Sequence, residues 1–497
     1  MDQIKIGWAE VSLVPEGRKV NLYGQFYERI TSEVESPVTV TALALECQGE
    51  SAIFCSCDLV DVGTTLLASV RALLKNRPDI PADKVMTNAI HTHTSLGYAG
   101  LSDPVGGSGL GVLRQIMPDA KYESLVSYEG EDLMEGEEAL AFLAERIAQA
   151  VTKAWDNRKA GKYAAGFGRA AVGMCRRVCY DDGSAKMWGD TSLANFEALE
   201  GGNDSGIELL FTYTPDGRLT GVVANVACPA QVLEHRSFIS SDYWGKVKEN
   251  LRKNHGEDLY VLGICSPAGD MCPRDMVRWV EPETPINDPN IIRNNPPYKR
   301  QDPSMFDLKG CALIGRRIAT EIEWALEDVK EYVEAPVFRH EVCTLDMPLR
   351  RVTIAERDKA EKAIREFCRE NGDKPIDYVA AAAMHVHAGT IARYEAQQTI
   401  EVVPIEVHFM RLGDLAFATN PYELFLDYGN KIRARSLAAQ TFLIQLCCGA
   451  RGYLPTKKAE AGSHYSAYVS SGSAGHAGGD LLVRETLHHI NKMFSEE

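Results

Sequence analysis

The feature that most constrains the fold is a strand–helix–strand pattern within the first hundred residues. Residues 52–60 form an apolar run, residues 64–74 carry apolar side chains at helical spacing, and residues 84–90 form a second apolar run. This pattern favours two parallel strands joined by a right-handed helical crossover. The second strand leads directly into His91 and His93. The sequence therefore predicts two imidazoles at a strand end, where α/β sheets usually bind ligands.

His91 and His93 are the first candidate site residues. Because alternate residues of a strand point to the same face, both rings would reach into one pocket. Neutral imidazole is the commonest metal ligand and a frequent general base near neutral pH. The pair therefore indicates a metal site or a proton-transfer site, against the simpler alternative of two polar loop residues.

The rest of the chain has a mixed α/β texture. Period-two and continuous apolar runs predict strands, and 3.6-residue periodicity predicts helices. The further strands are expected at residues 4–8, 38–45, 206–213, 219–227, 259–264, 337–348, 403–412 and 415–419. The further helices are expected at residues 139–155, 243–254, 307–332, 354–371 and 379–396. We expect an α/β fold with mixed sheets flanked by helices and an active site at strand ends.

Composition excludes several classes of protein. The 497-residue chain is 45% hydrophobic and 25% charged, as is usual for globular proteins, and its formal net charge is -16. A strongly acidic chain without basic clusters is a poor nucleic-acid partner. Its apolar runs are too short to cross a bilayer, and its start lacks a signal-peptide core. We expect no nucleic-acid partner, no stable membrane anchoring and a cytoplasmic location, unless a signal segment has been removed.

The cysteines argue against a disulfide framework. There are 13 of them, mostly in apolar surroundings, and no Cys-x-x-Cys spacing occurs. An odd, unpatterned set fits a reducing compartment and makes a four-cysteine zinc site improbable.

Three other motifs are weaker. His385 and His387 form a second His-x-His, but on a helix positions two apart diverge by about 200°, so we expect a structural role. Residues 106–111 are Gly-rich without joining a strand to a helix as a phosphate loop does. They belong to a long segment, residues 96–136, that we expect to cover the site. Cys272 would need a nearby base to act as a nucleophile.

Polar clusters at strand ends connect these observations to a known family. Taken together and in this order along the chain, they make the sequence resemble the neutral/alkaline ceramidase family of zinc amidohydrolases. The matching segments are Ile6-Gly7 with Glu10, the Asn88 to Ser95 stretch around His91 and His93, Gly269-Asp270-Met271-Cys272-Pro273, Asn420-Pro421-Tyr422-Glu423-Leu424-Phe425, Gly452-Tyr453-Leu454-Pro455-Thr456 and Tyr465.

The resemblance implies a role for each matching residue. His91 would be the first zinc ligand, Glu423 the carboxylate ligand and Tyr453 a weakly held phenol ligand. His93 would be the catalytic histidine, and Tyr465 would donate a hydrogen bond to the reacting carbonyl. Arg176 or Arg177 would lie near the site. Such a donor set could also hold manganese or iron, but the resemblance favours zinc.

The chain departs from the family pattern at the second histidine ligand. The corresponding position holds Cys228 or Pro229. Either Cys228 binds the metal as a thiolate, or His235 takes over from one turn later, or the metal is lost. We favour His235, because a thiolate would make zinc a weaker Lewis acid. The family's extra C-terminal β domain is also expected to be missing.

The sequence therefore predicts a zinc-dependent hydrolase that cleaves an amide (N-acyl) bond in a small molecule. Residues 1–335 would form the ceramidase-like core, and residues 336–497 would form a C-terminal α/β part that completes the metal site. An ester hydrolase on the same scaffold and a non-catalytic homologue with a decayed metal site are the alternatives. A homo-oligomer is left open.

Overall fold

The structure, a computed structural model, describes residues 3–25, 27–103, 105, 112–113, 115, 128, 130–278, 307–374, 376 and 378–495. The Gly-rich residues 106–111 and much of the proposed covering segment 96–136 lie outside these ranges. So does the Pro- and Asn-rich stretch at residues 281–303. The expectation that the long segment covers the site therefore stays a prediction.

The described residues form 23 strands and nine α-helices. In chain order, strands β1 to β23 are Lys5–Ser12, Lys19–Asn21, Ile30–Thr31, Thr39–Cys47, Glu50–Cys57, Val85–Ala89, Leu133–Met134, Lys159–Ala160, Lys162–Arg169, Met174–Cys175, Arg177–Tyr180, Ala185–Met187, Phe196–Leu199, Gly206–Tyr213, Leu219–Val226, Tyr260–Cys265, Met271–Cys272, Phe338–Pro348, Val402–Leu412, Leu415–Thr419, Glu423–Leu424, Gln440–Ile444 and Tyr453–Leu454. Helices α1 to α9 are Thr64–Leu74, Gly136–Asp156, Tyr243–His255, Asp307–Glu327, Ile354–Asn371, Tyr378–Ala396, Leu426–Arg433, Lys457–Gly462 and His476–Ser495.

Three larger sheets carry the architecture. The first has the strand order β6-β5-β4-β1-β8, the second β16-β15-β14-β9, and the third β18-β19-β20-β22. Each mixes parallel and antiparallel pairs: β5 and β6 are parallel, as are β15 with β16 and β20 with β22. The prediction of an α/β fold with mixed sheets is confirmed, including the parallel pair connected through α1.

The three sheets share one apolar core. Their inner faces contribute Trp8, Phe54, Leu210, Leu262 and Phe417 to a single buried cluster. The outer face of the first sheet packs against α1 and α2, that of the second against α3 and α4, and that of the third against α7 and α9. Because each buried large side chain contributes about 1.5–3 kcal/mol, this shared interior holds the sheets in fixed relative positions.

Most predicted element bounds agree with the structure to within a few residues. The strand predicted at residues 84–90 ends at Ala89, and the helix predicted at residues 307–332 ends at Glu327. Residues 379–396 are helical, as expected, so His385 and His387 lie on a helix. The third sheet comes entirely from residues after 335, which accords with the proposed domain boundary without testing it. Among the described residues, no helix has the length and apolarity needed to cross a membrane.

A buried lysine ties α3 to the first sheet. Lys248 is only 7% exposed, and its Nζ lies 2.7 Å from Thr39 Oγ1, 3.1 Å from Glu10 Oε2 and 3.5 Å from Asp58 Oδ2. Burial opposes the ionised form of Glu10, but the charges of Lys248 and Arg252 lower the pKa of Glu10 to about 2. The helix is therefore fixed to β1 and β4 by charge as well as by packing.

Replacing Lys248 with methionine should strongly destabilise the protein. The change leaves the buried Asp58 carboxylate without its cation, which costs about 3–5 kcal/mol of unfolding free energy. Lys253→Met is the matched control on the same helix, because the Lys253–Glu249 pair is exposed and contributes about 0.3–0.5 kcal/mol. Denaturant unfolding followed by fluorescence measures both. Equal, small losses in the two variants would contradict a structural role for Lys248.

Candidate active site

His91 lies just beyond the end of β6 and is held in a defined orientation. Its backbone N–H donates to the Leu59 carbonyl at 3.0 Å, and its φ of 67° is in the left-handed region. Its Nδ1–H donates to the Val60 carbonyl at 2.7 Å. Because a carbonyl only accepts, the Nδ1 atom carries a proton, so Nε2 is the His91 nitrogen that is left to bind a metal ion.

The two histidines converge, but not through strand alternation. Their Nε2 atoms are 3.3 Å apart. The strand ends at Ala89 and the backbone turns at His91, so the two residues are not alternate residues of a strand, as the sequence had suggested. The turn, and not the strand, brings the two rings together. Gly24 makes room for His93, since a Cβ atom at Gly24 would lie 2.5 Å from the His93 ring.

Glu423 and Tyr453 are brought to the same place by a short parallel ladder. Strands β21 and β23 pair with Glu423 directly opposite Tyr453. Glu423 Oε2 lies 3.4 Å from His91 Nε2, and both side chains are nearly buried. Burial and the charge of Glu423 raise the pKa of Tyr453 well above its usual value, so in this structure its phenol stays protonated at neutral pH.

Tyr465 joins the site through its hydroxyl, which lies 3.0 Å from the Tyr453 hydroxyl. Although 42% of Tyr465 is exposed, desolvation around its hydroxyl and the charge of Glu423 raise the pKa of Tyr465 to about 12, so at neutral pH it can donate a hydrogen bond. Its position depends on Arg177. The fully buried Arg177 guanidinium pairs with Glu200 at 2.8 Å and donates to the carbonyls of Ser463 and Tyr465 at 2.9 and 3.2 Å. Arg177 therefore holds the loop that carries Tyr465.

Of the two adjacent arginines, Arg176 faces the site. Its Nη2 lies 3.4 Å from the Tyr453 hydroxyl, and its Nη1 donates to Gln231 Oε1 at 3.3 Å. Its Nε is buried without a hydrogen-bond partner among the described residues. Burial disfavours its charge, but nearby Tyr453 and Glu423 raise the pKa of Arg176, so the guanidinium is a permanent cation.

Glu234 completes the cluster, and sequence reasoning did not single it out. Gln231 Nε2 donates to Glu234 Oε2 at 3.1 Å, and the same oxygen lies 3.5 Å from His93 Nδ1. A chain of contacts thus runs from Tyr465 through Tyr453, Arg176 and Gln231 to Glu234 and the histidines. A partial sequence signal was present, because Glu234 lies in the stretch 225–235 that departs from the family pattern.

The remaining predicted residues face elsewhere. His235 Nε2 lies 3.4 Å from Asp307 Oδ1, at the start of α4, whereas the contact chain runs through its neighbour Glu234. Cys228 is fully buried, with Sγ 3.7 Å from the Val172 carbonyl oxygen. Burial raises the pKa of the Cys228 thiol well above its usual value. Burial likewise raises the pKa of Cys272 to about 12, which argues against a nucleophilic thiolate there.

The residues at the centre fit a metal ion. His91 Nε2 presents a lone pair to the Glu423 carboxylate at 3.4 Å and to His93 Nε2 at 3.3 Å. Electron-pair donors placed this close repel one another unless a cation or a proton lies between them. Imidazole nitrogen with carboxylate and phenol oxygen is a donor set that suits zinc, and also manganese or iron.

The α/β fold of the chain is ceramidase-like, as comparison with solved structures shows. Neutral ceramidase from Pseudomonas aeruginosa superposes with a TM-score of 0.67 at 16% sequence identity, over 100% of this chain and 75% of that one. A ceramidase complexed with C2 gives a TM-score of 0.65 at 13% identity, over 100% and 76% of the two chains. No protein-family model and no curated protein sequence matches the chain. The resemblance drawn from the sequence motifs is confirmed at the level of the fold.

Arg177→Met should loosen the loop that carries Tyr465. The substitution leaves Glu200 buried without its cation and several carbonyls without donors, which should cost about 3–5 kcal/mol. We expect faster proteolysis within residues 459–466 and a lower unfolding free energy. Arg218→Met is the control, because the Arg218–Asp258 pair is exposed and such pairs contribute about 0–1 kcal/mol. A proteolysis pattern unchanged by Arg177→Met would show that the loop is held by other contacts.

Proposed function

We propose that this protein is a metal-dependent hydrolase, most simply a zinc enzyme, that cleaves an amide (N-acyl) bond in a small molecule. The observation that carries the proposal is the convergence of a tautomerically fixed imidazole, His91, on the Glu423 carboxylate at 3.4 Å. The ceramidase-like fold supports it.

His91, Glu423 and Tyr453 would hold the ion. When bound, such an ion supplies a water with a pKa near 7 and polarises the scissile carbonyl. Because His235 faces Asp307 and Cys228 faces the Val172 carbonyl, we replace the expectation that His235 is a ligand. Three protein ligands leave room for water and substrate, which is the arrangement of catalytic rather than structural zinc sites.

His93 is placed to be the general base. Burial, with the charges of Arg29 and Arg176, lowers the pKa of His93 well below its usual value, so the ring is neutral and can accept a proton. Glu234 lies 3.5 Å from Nδ1 and favours the tautomer with the proton there. The Nε2 lone pair then faces the centre and can take a proton from the attacking water. A base oriented by a carboxylate is the arrangement found in hydrolytic triads.

Tyr465 and Arg176 are placed to stabilise developing negative charge. The Tyr465 hydroxyl is a protonated donor beside the centre, and the Arg176 guanidinium is a fixed cation with an unused Nε–H. Donors and charges fixed before the reaction stabilise an oxyanion without reorganisation. The proton held on His93 can then pass to the departing amine.

Removing the ion's ligands should remove the ion. We expect about one divalent ion per chain in protein made without chelator, most of it zinc. His91→Ala and Glu423→Ala should each lose it, whereas Asp258→Ala, which changes an exposed carboxylate far from these residues in the sequence, should keep it. Elemental analysis of the purified proteins is the measurement. Metal-free wild-type protein whose activity and stability do not respond to added zinc would favour the decayed, non-catalytic homologue.

Changing the base should separate turnover from metal binding. His93→Ala should keep the ion and lose at least about a hundredfold in turnover, the usual scale of general acid–base catalysis. Glu234→Gln should also keep the ion and lower kcat more than it raises KM. Turnover is measured on a panel of N-acyl p-nitroanilides of different chain lengths.

Two outcomes would change these assignments. Release of the metal from His93→Ala as readily as from His91→Ala would make His93 a ligand. Cleavage of matched p-nitrophenyl esters with no cleavage of the anilides would make the enzyme an esterase.

A further inference from the structure

A second cluster of reactive side chains lies outside the proposed active site. Cys448 Sγ is 3.7 Å from His408 Nε2, and the same nitrogen is 2.9 Å from Glu406 Oε1. Cys448 and His408 are buried, whereas the Glu406 side chain is 26% exposed. The thiol and the carboxylate thus meet at the same imidazole nitrogen, so a single N–H of His408 faces two groups that can each carry negative charge.

The hydrogen bonds around His408 fix its protonation. The Ser51 carbonyl accepts from His340 Nδ1 at 2.8 Å, which leaves His340 Nε2 as an acceptor. That atom is 2.9 Å from His408 Nδ1, so His408 Nδ1 carries a proton. His408 Nε2 must then be protonated as well, because at 2.9 Å from the Glu406 carboxylate it would otherwise face an acceptor with a lone pair. The structure therefore calls for an imidazolium.

A thiolate at Cys448 would balance the charge of this imidazolium. The Cys447 thiol lies 3.8 Å from Cys448 Sγ and can donate to it. That hydrogen bond and the charge of His408 lower the pKa of Cys448 in spite of its burial. Burial opposes a charged His408, but the charges of Cys448 and Glu406 raise the pKa of His408 to about 9. Arg71 supplies a second positive charge to the cluster, because it pairs with both Glu406 oxygens at 2.7 Å.

Cys448 also borders a cavity. A cavity of about 240 Å³ is lined by Cys448 and Glu406 together with the cationic side chains of Arg71 and Arg451. None of its lining residues belongs to the cluster around His91 and Glu423. The cavity volume is enough for a small organic molecule, and the two guanidinium groups favour one that is neutral or anionic.

We propose that Cys448 is a nucleophilic thiolate, oriented by His408 and Glu406, that is covalently modified by small electrophiles entering this cavity. With an alkyl halide, the Cys448 sulfur attacks the carbon, a C–S bond forms, the C–halogen bond breaks and halide leaves. His408 keeps its proton throughout and stabilises the thiolate before the attack. Burial raises the pKa of Cys55 and Cys265, for example, so these thiols stay protonated at neutral pH.

Selective alkylation tests the proposal on the native full-length protein. Iodoacetamide at limiting concentration, followed by peptide mass spectrometry, should label Cys448 at least about tenfold faster than any other cysteine. From pH 8.5 to 7 an ordinary thiol slows by more than about tenfold, whereas Cys448 should slow by less than about threefold. The charged and titratable groups that set this dependence are Cys447, His408, Glu406, Arg71 and Cys55.

Three variants make the result specific. Glu406→Gln keeps the shape of the cavity lining but removes the negative charge beside His408, and it should slow labelling of Cys448 by about tenfold. Cys447→Ser keeps a hydrogen-bond donor and should leave Cys448 reactive. Cys448→Ser should abolish the fast phase while the circular dichroism spectrum stays unchanged.

Two results would overturn the proposal. One is labelling of Cys448 no faster than that of the other buried cysteines in folded protein. The other is labelling that begins only after a chelator removes a divalent ion bound to Cys448 and His408, which would make the trio a metal site. Neither result depends on whether the His91 and Glu423 cluster binds a metal.

Discussion

The candidate site depends on residues 445–448, a segment whose backbone hydrogen bonds join the chain before His91 to the chain before Glu423. The backbone of Leu446 and Cys448 bonds to Ala89 and Thr87, on the strand that leads to His91. The same stretch bonds on its other side to Asn420 and Tyr422, which lead to Glu423. Both Leu446 and Cys448 have positive φ values, 53° and 58°, so the chain turns sharply to reach both neighbours. His91 and Glu423, the two ligands we propose, are thereby joined by one hydrogen-bonded segment although they are far apart in the sequence.

Gln445 connects this segment to the second sheet. Its side-chain oxygen accepts from the backbone N–H groups of Leu424 and Ala268 at 2.9 and 3.0 Å, deep in the interior. Gly269 then passes so close to Glu423 that a Cβ atom would lie 2.3 Å from the Glu423 carbonyl oxygen. Segments that follow strands of all three sheets therefore meet at the backbone around Glu423. A buried amide that satisfies two backbone donors is costly to remove, so we regard Gln445 as a fixed part of this junction.

Local sequence patterns predicted the elements well, because strand and helix periodicity is set by which face each element buries. They also singled out His91 and His93, whereas Glu423, Tyr453, Tyr465 and the pair Arg176 and Arg177 came from the family resemblance. The structure brings all of these except Arg177 together at one place. They could not give the orientation of single side chains in irregular segments. Glu234 rather than its neighbour His235 faces the cluster, and Arg177 rather than Arg176 fixes a loop. Such differences of one residue depend on long-range partners, Asp307 and Glu200, which no local pattern reveals.

The central claim is that a metal ion is held by nitrogen and oxygen ligands from His91, Glu423 and Tyr453, with no sulfur. X-ray absorption spectroscopy at the zinc edge of the purified holoprotein tests it most directly. We expect a first shell of nitrogen and oxygen only, at about 2.0–2.2 Å, with the outer-shell scattering of imidazole. A sulfur shell at about 2.3 Å that persists in Cys448→Ser protein and disappears in Cys228→Ser protein would contradict this account and return Cys228 to the metal site.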